Sequence, residues 1–166
     1  MWLTRAYLLL SATGVDKAMM YMCEDVGTVE EEAVGKFATA GVIGFKYDKY
    51  GNVVEFKKDS FYYLYTLKNT LGNYAFNEEI ASYDQNVKIY RYCTANGEEA
   101  YALWCPTSDG TKHDGYKLRV NGDGATLVEA VYGDTDGVEA ALEIDEYGYV
   151  TVNVSENPIY VVVDKK

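Results

Sequence analysis

From Tyr74 onward, apolar and polar positions along the chain alternate with a period of two. Such alternation is typical of β-strands whose two faces meet different surroundings. Turn signals containing Gly, Asn, Asp or Pro recur between the alternating runs. The pattern predicts strands at 87–93, 99–105, 115–120, 127–132, 140–144, 149–154 and 159–163.

The first 73 residues show a different pattern. Apolar residues fall on one stripe of a helix predicted over 2–13, and Gly14 supplies its end. The short apolar run at 17–23 predicts a strand buried on both faces, as in parallel sheets that helices cover. Residues 24–58 are mixed and glycine-rich, and we interpret them as an extended loop.

A second helix is predicted over 60–71, with its apolar residues on one face and a glycine after Leu71 to end it. Asp59 or Ser60 is expected to cap its first turn. The predicted fold is therefore mainly β. An antiparallel β-sandwich over 74–166 follows a helix–strand–loop–helix unit over 1–73.

The two central strands are expected to form a hairpin around Asn96-Gly97. A two-residue turn there would pair Cys93 with Ala100 and Cys105 with Lys88. The two cysteines would then point to opposite faces of the sheet and could not be bridged. With Cys23 as the third cysteine and no C-x-x-C spacing, all three are predicted to be free thiols.

Composition narrows the classes of partner. The 166 residues carry a formal net charge of −11, and no basic run is present, so nucleic acid is not an expected partner. No apolar stretch reaches the length of a membrane span, so no membrane partner is expected. Tyrosine is unusually frequent, at 17 residues, and suits strands, interfaces and sugar-stacking surfaces alike.

Metal and cofactor chemistry have few candidate residues. His113 is the one histidine, which leaves no set for a zinc site or a Ser-His-Asp triad. Asp134, Asp136 and Gly137 match the start of a calcium loop but lack its later acidic positions. We therefore expect no metal site and no cofactor.

Two stretches resemble the end of a (β/α)8 barrel in the large clan of retaining glycoside hydrolases. The first runs from Arg5 to Lys17 and on through Met20-Tyr21-Met22 to Asp25, and it is similar to the seventh helix and eighth strand. The second, 61–72, looks like the eighth helix, with Lys58-Asp59-Ser60-Phe61 at its start. Segments 87–91, 101–107 and 152–161 resemble the β-sandwich that follows such barrels.

This resemblance implies that the chain is the C-terminal part of such an enzyme, with a sandwich that braces the catalytic barrel. The acid/base and the nucleophile of this clan follow the fourth and seventh strands, which would both lie upstream, so no catalytic residue is expected here. The uncapped start of the first helix, at Trp2, also favours a chain cut from a longer one. The parent's compartment is left open, with a secreted or periplasmic bacterial enzyme as one option.

The resemblance places possible sugar-contacting side chains at the carboxyl end of the eighth strand. These are Tyr21, Cys23, Glu24 and Asp25. A polar strand end that enters a loop is the alternative for Glu24 and Asp25. Trp104 is a further candidate for stacking on a sugar, although its place in an alternating strand favours core packing.

Two other functions stay open at this point. The chain is alternatively a carbohydrate-binding module that holds a polysaccharide or oligosaccharide without catalysis, or a scaffold β-sandwich. If it is a barrel remnant, the first helix and the apolar run around Met19 and Met20 lack their neighbours. We then expect them to fold back on the sandwich or to associate with a second copy.

Overall fold

A computed structural model describes residues 2–29 and 39–164 of the chain. The two helices and eleven strands of these residues run in the following order along the chain. They are α1 (Trp2–Ser11), β1 (Glu24–Thr28), β2 (Ile43–Tyr47), β3 (Val53–Lys57), α2 (Asp59–Leu71), β4 (Ala75–Ile80), β5 (Lys88–Cys93), β6 (Glu99–Trp104), β7 (His113–Arg119), β8 (Gly124–Glu129), β9 (Val138–Leu142), β10 (Tyr149–Val154) and β11 (Ile159–Asp164).

The mainly β class is confirmed, and a six-stranded antiparallel sheet forms the middle layer. Its strand order is β4-β5-β6-β11-β8-β9. On one face it packs against the two-stranded antiparallel sheet of β7 and β10, and on the other face against α1 and α2. The helices and the smaller sheet therefore lie on opposite sides of the same set of strands.

The apolar pattern of each strand matches the number of faces that it buries. In β10, Val150, Val152 and Val154 are buried and the residues between them are exposed, because one face of this outer strand meets solvent. In β6, residues 100–104 are all buried, because both faces of this central strand are covered. The continuous apolar run of β6 is the signature of a strand buried on both sides.

Large aromatic side chains fill the layer between the central sheet and the helices. Trp104 is 1% exposed and lies edge-to-face with Tyr90, with their ring centroids 5.0 Å apart. Leu8 of α1 lies in the same cluster and is also 1% exposed. The Tyr92 hydroxyl is 2.8 Å from Ser11 Oγ at the end of α1, and burial raises the pKa of Tyr92 to about 12. Helix α1 is therefore packed on the sandwich, as expected for a helix that folds back.

The register of the central hairpin differs from the sequence prediction by one residue. Cys93 lies opposite Glu99, and Lys88 lies opposite Trp104. The loop has three residues rather than two, because Gly97, with φ of +79°, occupies the left-handed position that closes such a turn. Cys93 and Cys105 consequently face the same side of the sheet, near its opposite ends. All three cysteines are free, as predicted.

The segment before α2 also differs from its prediction. Residues 17–23 form no strand, and the first strand is instead β1, at Glu24–Thr28. A strand needs a ladder of hydrogen bonds to a neighbour, and in the described residues no ladder includes 17–23, although Cys23 at its end is bonded to the start of β2. The supposed loop 24–58 contains β1, β2 and β3, which form a three-stranded sheet, although residues 30–38 lie outside the described residues. The division of the chain at residue 73 stays a prediction.

Two adjacent leucines of α1 test whether this helix is held by the sheet. We expect Leu8→Ala to lower the free energy of unfolding by about 3 kcal/mol, because it removes a buried side chain and leaves a cavity. Leu9 is 43% exposed, and Leu9→Ala should cost less than about 1 kcal/mol. Urea unfolding followed by circular dichroism measures both. Equal losses would contradict the packing of α1 described here.

Candidate functional site

The sequence-predicted site residues at 21–25 lie beside the three-stranded sheet. Strand β1 runs parallel to β2, and β2 is antiparallel to β3. Just before β1, the carbonyl oxygen of Cys23 accepts hydrogen bonds from the backbone N–H groups of Val42 (2.9 Å) and Ile43 (3.0 Å). The backbone at the start of β1 is thereby fixed to the start of β2.

Asp25 of β1 is a buried charged residue, with a side chain that has no exposed surface. Its Oδ1 accepts hydrogen bonds from the backbone N–H of Gly41 and from Nζ of Lys58, each at 2.8 Å. The same Nζ lies 2.8 Å from Oδ2, so the ammonium group is shared between both carboxylate oxygens. A buried carboxylate requires such compensation, because transfer from water costs it several kcal/mol.

Lys58 connects three segments of the chain. Besides Asp25, its Nζ donates to the carbonyl oxygen of Thr39 at 2.7 Å, and its backbone N–H donates to the carbonyl oxygen of Val42 at 3.0 Å. Lys58 precedes α2 with extended backbone and gives this helix no side-chain cap, contrary to the cap expected at Asp59 or Ser60. Its side chain is directed to Asp25 instead.

Gly41 allows the backbone to approach this ion pair closely. A Cβ atom at position 41 would lie 2.6 Å from the backbone nitrogen of Asp25 and closer still to the carbonyl carbon of Glu24. Only glycine fits such a separation without movement of β1. Gly41 and Lys58 hold Asp25 in place. The sequence analysis identified neither of them as a site residue. No local pattern connects Asp25 with a lysine 33 positions away.

The other predicted site residues are arranged differently. Glu24 is exposed, whereas Asp25 points to the interior, as expected for adjacent residues of a strand. Tyr21 is 88% exposed. Trp104 lies in the core beneath the helices, so its ring is closed to a sugar in this structure, and the interpretation as a stacking platform does not fit. The sugar-binding roles of Tyr21, Glu24 and Asp25 stay predictions.

This arrangement does not form the carboxylate pair of a retaining glycosidase. Such enzymes place a nucleophile and an acid/base about 5–5.5 Å apart, both facing the substrate. Glu24 and Asp25 face opposite ways, and the Asp25 carboxylate forms an ion pair with Lys58. Across residues 2–29 and 39–164, no group of three or more His, Cys, Asp and Glu side chains is placed to hold a metal ion. Neither described helix has the length and apolar character needed to cross a membrane.

An open cleft of about 680 Å³ lies between the start of α1 and the Asp25–Lys58 pair. Several large apolar side chains within residues 2–26 are exposed. Trp2 is 62% exposed, Met19 90% and Val26 81%. We call these exposed side chains, together with Tyr21, the N-terminal apolar face. Met20, in contrast, is half-buried in the wall of the cleft, so the segment around it folds back only in part.

Comparison with solved structures gives a likeness in fold. No protein-family model and no curated protein sequence matches the chain. Among solved structures, a family 39 glycoside hydrolase from the gut symbiont Bacteroides cellulosilyticus WH2 superposes with a TM-score of 0.63 and 22% sequence identity. The superposition covers 98% of this chain but 29% of that enzyme. The chain thus shares its fold, over nearly its full length, with less than a third of a glycoside hydrolase.

Removal of the Lys58 charge tests the role of the buried ion pair. We expect Lys58→Met to lower the free energy of unfolding by about 2 kcal/mol, because the Asp25 carboxylate loses its counter-charge. The loss is smaller than for a fully buried pair, because the Lys58 side chain is partly exposed. Lys57→Met is the matched control, since the Lys57 ammonium makes a cation–π contact with Phe61 and should cost less than about 1 kcal/mol.

The double variant Asp25→Asn/Lys58→Met separates pairing from packing. If the ion pair carries the effect, its loss of stability is smaller than the sum of the losses of the two single variants. Additive losses in urea unfolding would show that the two side chains act independently.

Proposed function

We propose that this chain is the C-terminal part of a glycoside hydrolase, in which the sandwich braces a catalytic barrel formed by another part of the protein. The observation that supports this most directly is the superposition of nearly the whole chain on a limited part of a family 39 enzyme. The motif resemblance at 5–25 and 61–72, found from sequence alone, indicates the same class of enzyme.

The proposed bracing role follows from where the helices are attached. Helices α1 and α2 cover one face of the central sheet through Leu8 and Leu71. Arg5 of α1 is buried, and its Nη1 donates to the carbonyl oxygen of Thr107 at 2.7 Å. Asn69 of α2 donates to Oδ1 of Asp136 at 2.6 Å in the loop after β8. If the two helices belong to a barrel, the sandwich holds that barrel through both of them.

The N-terminal apolar face fits the surface at which the rest of a barrel would pack. Met19, Tyr21 and Val26 expose more than four fifths of their surface, and this much exposed apolar surface is unfavourable in water. In the proposed barrel, the segment at 17–23 would gain strand neighbours on both sides, which explains why it forms no strand here. Tyr21 and Glu24 would then lie at the rim where substrate binds, and Asp25 would position β1 through Lys58.

Catalysis is assigned to the other part of the proposed enzyme. In the described residues, the acidic groups nearest to the expected substrate rim are Glu24 and Asp25, and they diverge. The proposal therefore requires that the nucleophile and the acid/base lie upstream, as the resemblance implies.

The reading frame upstream of the Met1 codon provides the first test of the proposal. We expect it to continue into strand–helix units with two glutamates at the ends of the fourth and seventh strands. The joined polypeptide should hydrolyse a p-nitrophenyl glycoside, whereas this chain alone should not exceed the buffer rate. A stop codon directly upstream, or hydrolysis by this chain that Glu24→Gln abolishes, would overturn the assignment.

Trp2 offers a separate test of the bracing surface. Of the two tryptophans, Trp2 is 62% exposed and Trp104 is 1% exposed, so acrylamide should quench Trp2 fluorescence alone. We expect this quenching to disappear in Trp2→Phe and to fall several-fold in the polypeptide extended upstream, because the barrel covers Trp2. Equal quenching in the short and extended polypeptides would show that the N-terminal apolar face is not the barrel-facing surface. Shielding that rises with the concentration of this chain would point to a second copy instead.

A further inference from the structure

A groove of about 540 Å³ lies on the opposite side of the central sheet from the helices. It exists because the sheet of β7 and β10 has two strands and the central sheet has six, so the smaller sheet leaves part of the face uncovered. The floor comes from β4, β5 and β6, and the wall comes from the end of β7 and the turn before β10. The lining side chains used below are Arg91, Glu99, Tyr101, Arg119, Asn121 and Tyr147.

The floor of the groove presents polar groups in fixed positions. The Arg91 guanidinium lies 2.7 Å from a Glu78 carboxylate oxygen and 3.8 Å from one of Glu99, and it donates to Asn77 Oδ1 at 2.7 Å. The Tyr101 hydroxyl donates to Glu99 Oε2 at 2.8 Å. Burial, with the neighbouring Glu99, raises the pKa of Tyr101, so this hydroxyl stays protonated. Each group is held by another, which is the condition for a preorganised polar surface.

The wall carries an exposed aromatic ring on a rigid turn. Tyr147 is 71% exposed. Its backbone N–H, and that of Tyr149, donate to Asp145 Oδ1 at 3.0 and 2.9 Å, and Gly148 completes the turn with φ of +83°. The backbone N–H of Val120 donates to the carbonyl oxygen of Gly148 at 2.9 Å, which fixes the turn to the end of β7. The backbone of Tyr147 is thus held beside the strand that carries Arg119.

The charges of the groove balance. Arg91 and Arg119 contribute two positive charges and Glu99 one negative charge to the lining, and Glu78, which pairs with Arg91 from outside the lining, supplies the second negative charge. No carboxylate among the described residues lies within 4 Å of Arg119, so its donors stay available to a ligand. A ligand that suits such a surface is uncharged, rich in hydroxyl groups and flat enough on one face to contact an aromatic ring.

We propose that this groove binds a short neutral oligosaccharide. Tyr147 supplies the stacking face, Arg119 and Asn121 donate to sugar hydroxyls, and Glu99 accepts from them. The volume of the groove lies within the range of small-molecule sites, about 300–1,000 Å³. This site is on the other side of the sheet from α1 and α2, and the proposal does not rest on the assignment to a glycoside hydrolase.

The chain contains a matched control for Tyr147. Tyr50 occupies the same position in a turn of the same kind: its N–H donates to Asp48 Oδ1 at 2.8 Å, and Gly51 follows with φ of +81°. Tyr50 is 76% exposed and lies outside the groove. Tyr147→Ala and Tyr50→Ala therefore remove equally exposed rings from equivalent turns.

The test is a titration of the ¹⁵N-labelled chain with cellohexaose, xylohexaose, mannohexaose, laminarihexaose and trigalacturonate, followed by amide chemical shifts. We expect saturable shifts at Asn121, Gly122 and Gly148 with at least one of the four neutral sugars. Tyr147→Ala and Arg119→Ala should each raise its Kd at least tenfold, while Tyr50→Ala leaves it unchanged and all three spectra stay those of a folded chain.

Three results would overturn the proposal. They are no saturable shift with any neutral sugar, binding of trigalacturonate alone, and neutral binding that Tyr147→Ala leaves unaltered. Because the titration uses this chain by itself, its failure leaves the bracing role untouched. A failed upstream test likewise leaves the groove as it stands.

Discussion

The burial of β6 and β11 on both faces is the constraint on which the rest of the structure depends. These neighbouring strands lie at the centre of the six-stranded sheet, and nearly all of their side chains are removed from water. Such strands need a covering layer on each side. Helices α1 and α2 supply one layer and β7 with β10 supply the other. The two layers differ in width, so the same constraint that packs α1 against Trp104 also leaves the groove beside Arg91 open.

The ion pair of Asp25 and Lys58 has a comparable role in the smaller sheet. β1 is short, and β2 is its one partner in the described residues, so its ladder contributes little stability by itself. A carboxylate without exposed surface that bonds Gly41 and Lys58 joins β1 to the chain before β2 and to the start of α2. Helix α2 in turn packs on the central sheet. The sandwich therefore determines, through α2 and Lys58, where β1 and the predicted substrate-binding residues lie.

The sequence predicted those parts of the fold that repeat a local pattern. Strands β5 to β11 and the two helices follow from alternation and from apolar stripes, whereas β4 was not predicted. The strands β2 and β3 also alternate, around the turn from Asp48 to Asn52, but the glycines nearby favoured a loop. The hairpin register was wrong because Gly97 closes a three-residue loop, and sequence does not distinguish this loop from the two-residue turn.

The candidate sites were harder to predict, because they depend on contacts between distant residues. Nothing near Lys58 indicates that it pairs with Asp25. Arg91 did leave a signal: it occupies an inward position between Ile89 and Cys93, where an apolar residue is expected. A charge in such a position indicates either an ion pair or a cleft, and the structure has both. Tyr147 and Arg119 gave no comparable signal, since exposed residues in turns are common.

The position of β11 has a consequence for biosynthesis. It lies between β6 and β8 and pairs with both, although it follows them by some thirty to sixty residues along the chain. On the ribosome, the half of the sheet built from β4, β5 and β6 and the half built from β8 and β9 stay separate until residues 159–164 have left the exit tunnel. The apolar faces of both halves are exposed in the meantime. The two halves are therefore prone to aggregation until this last described strand has been made.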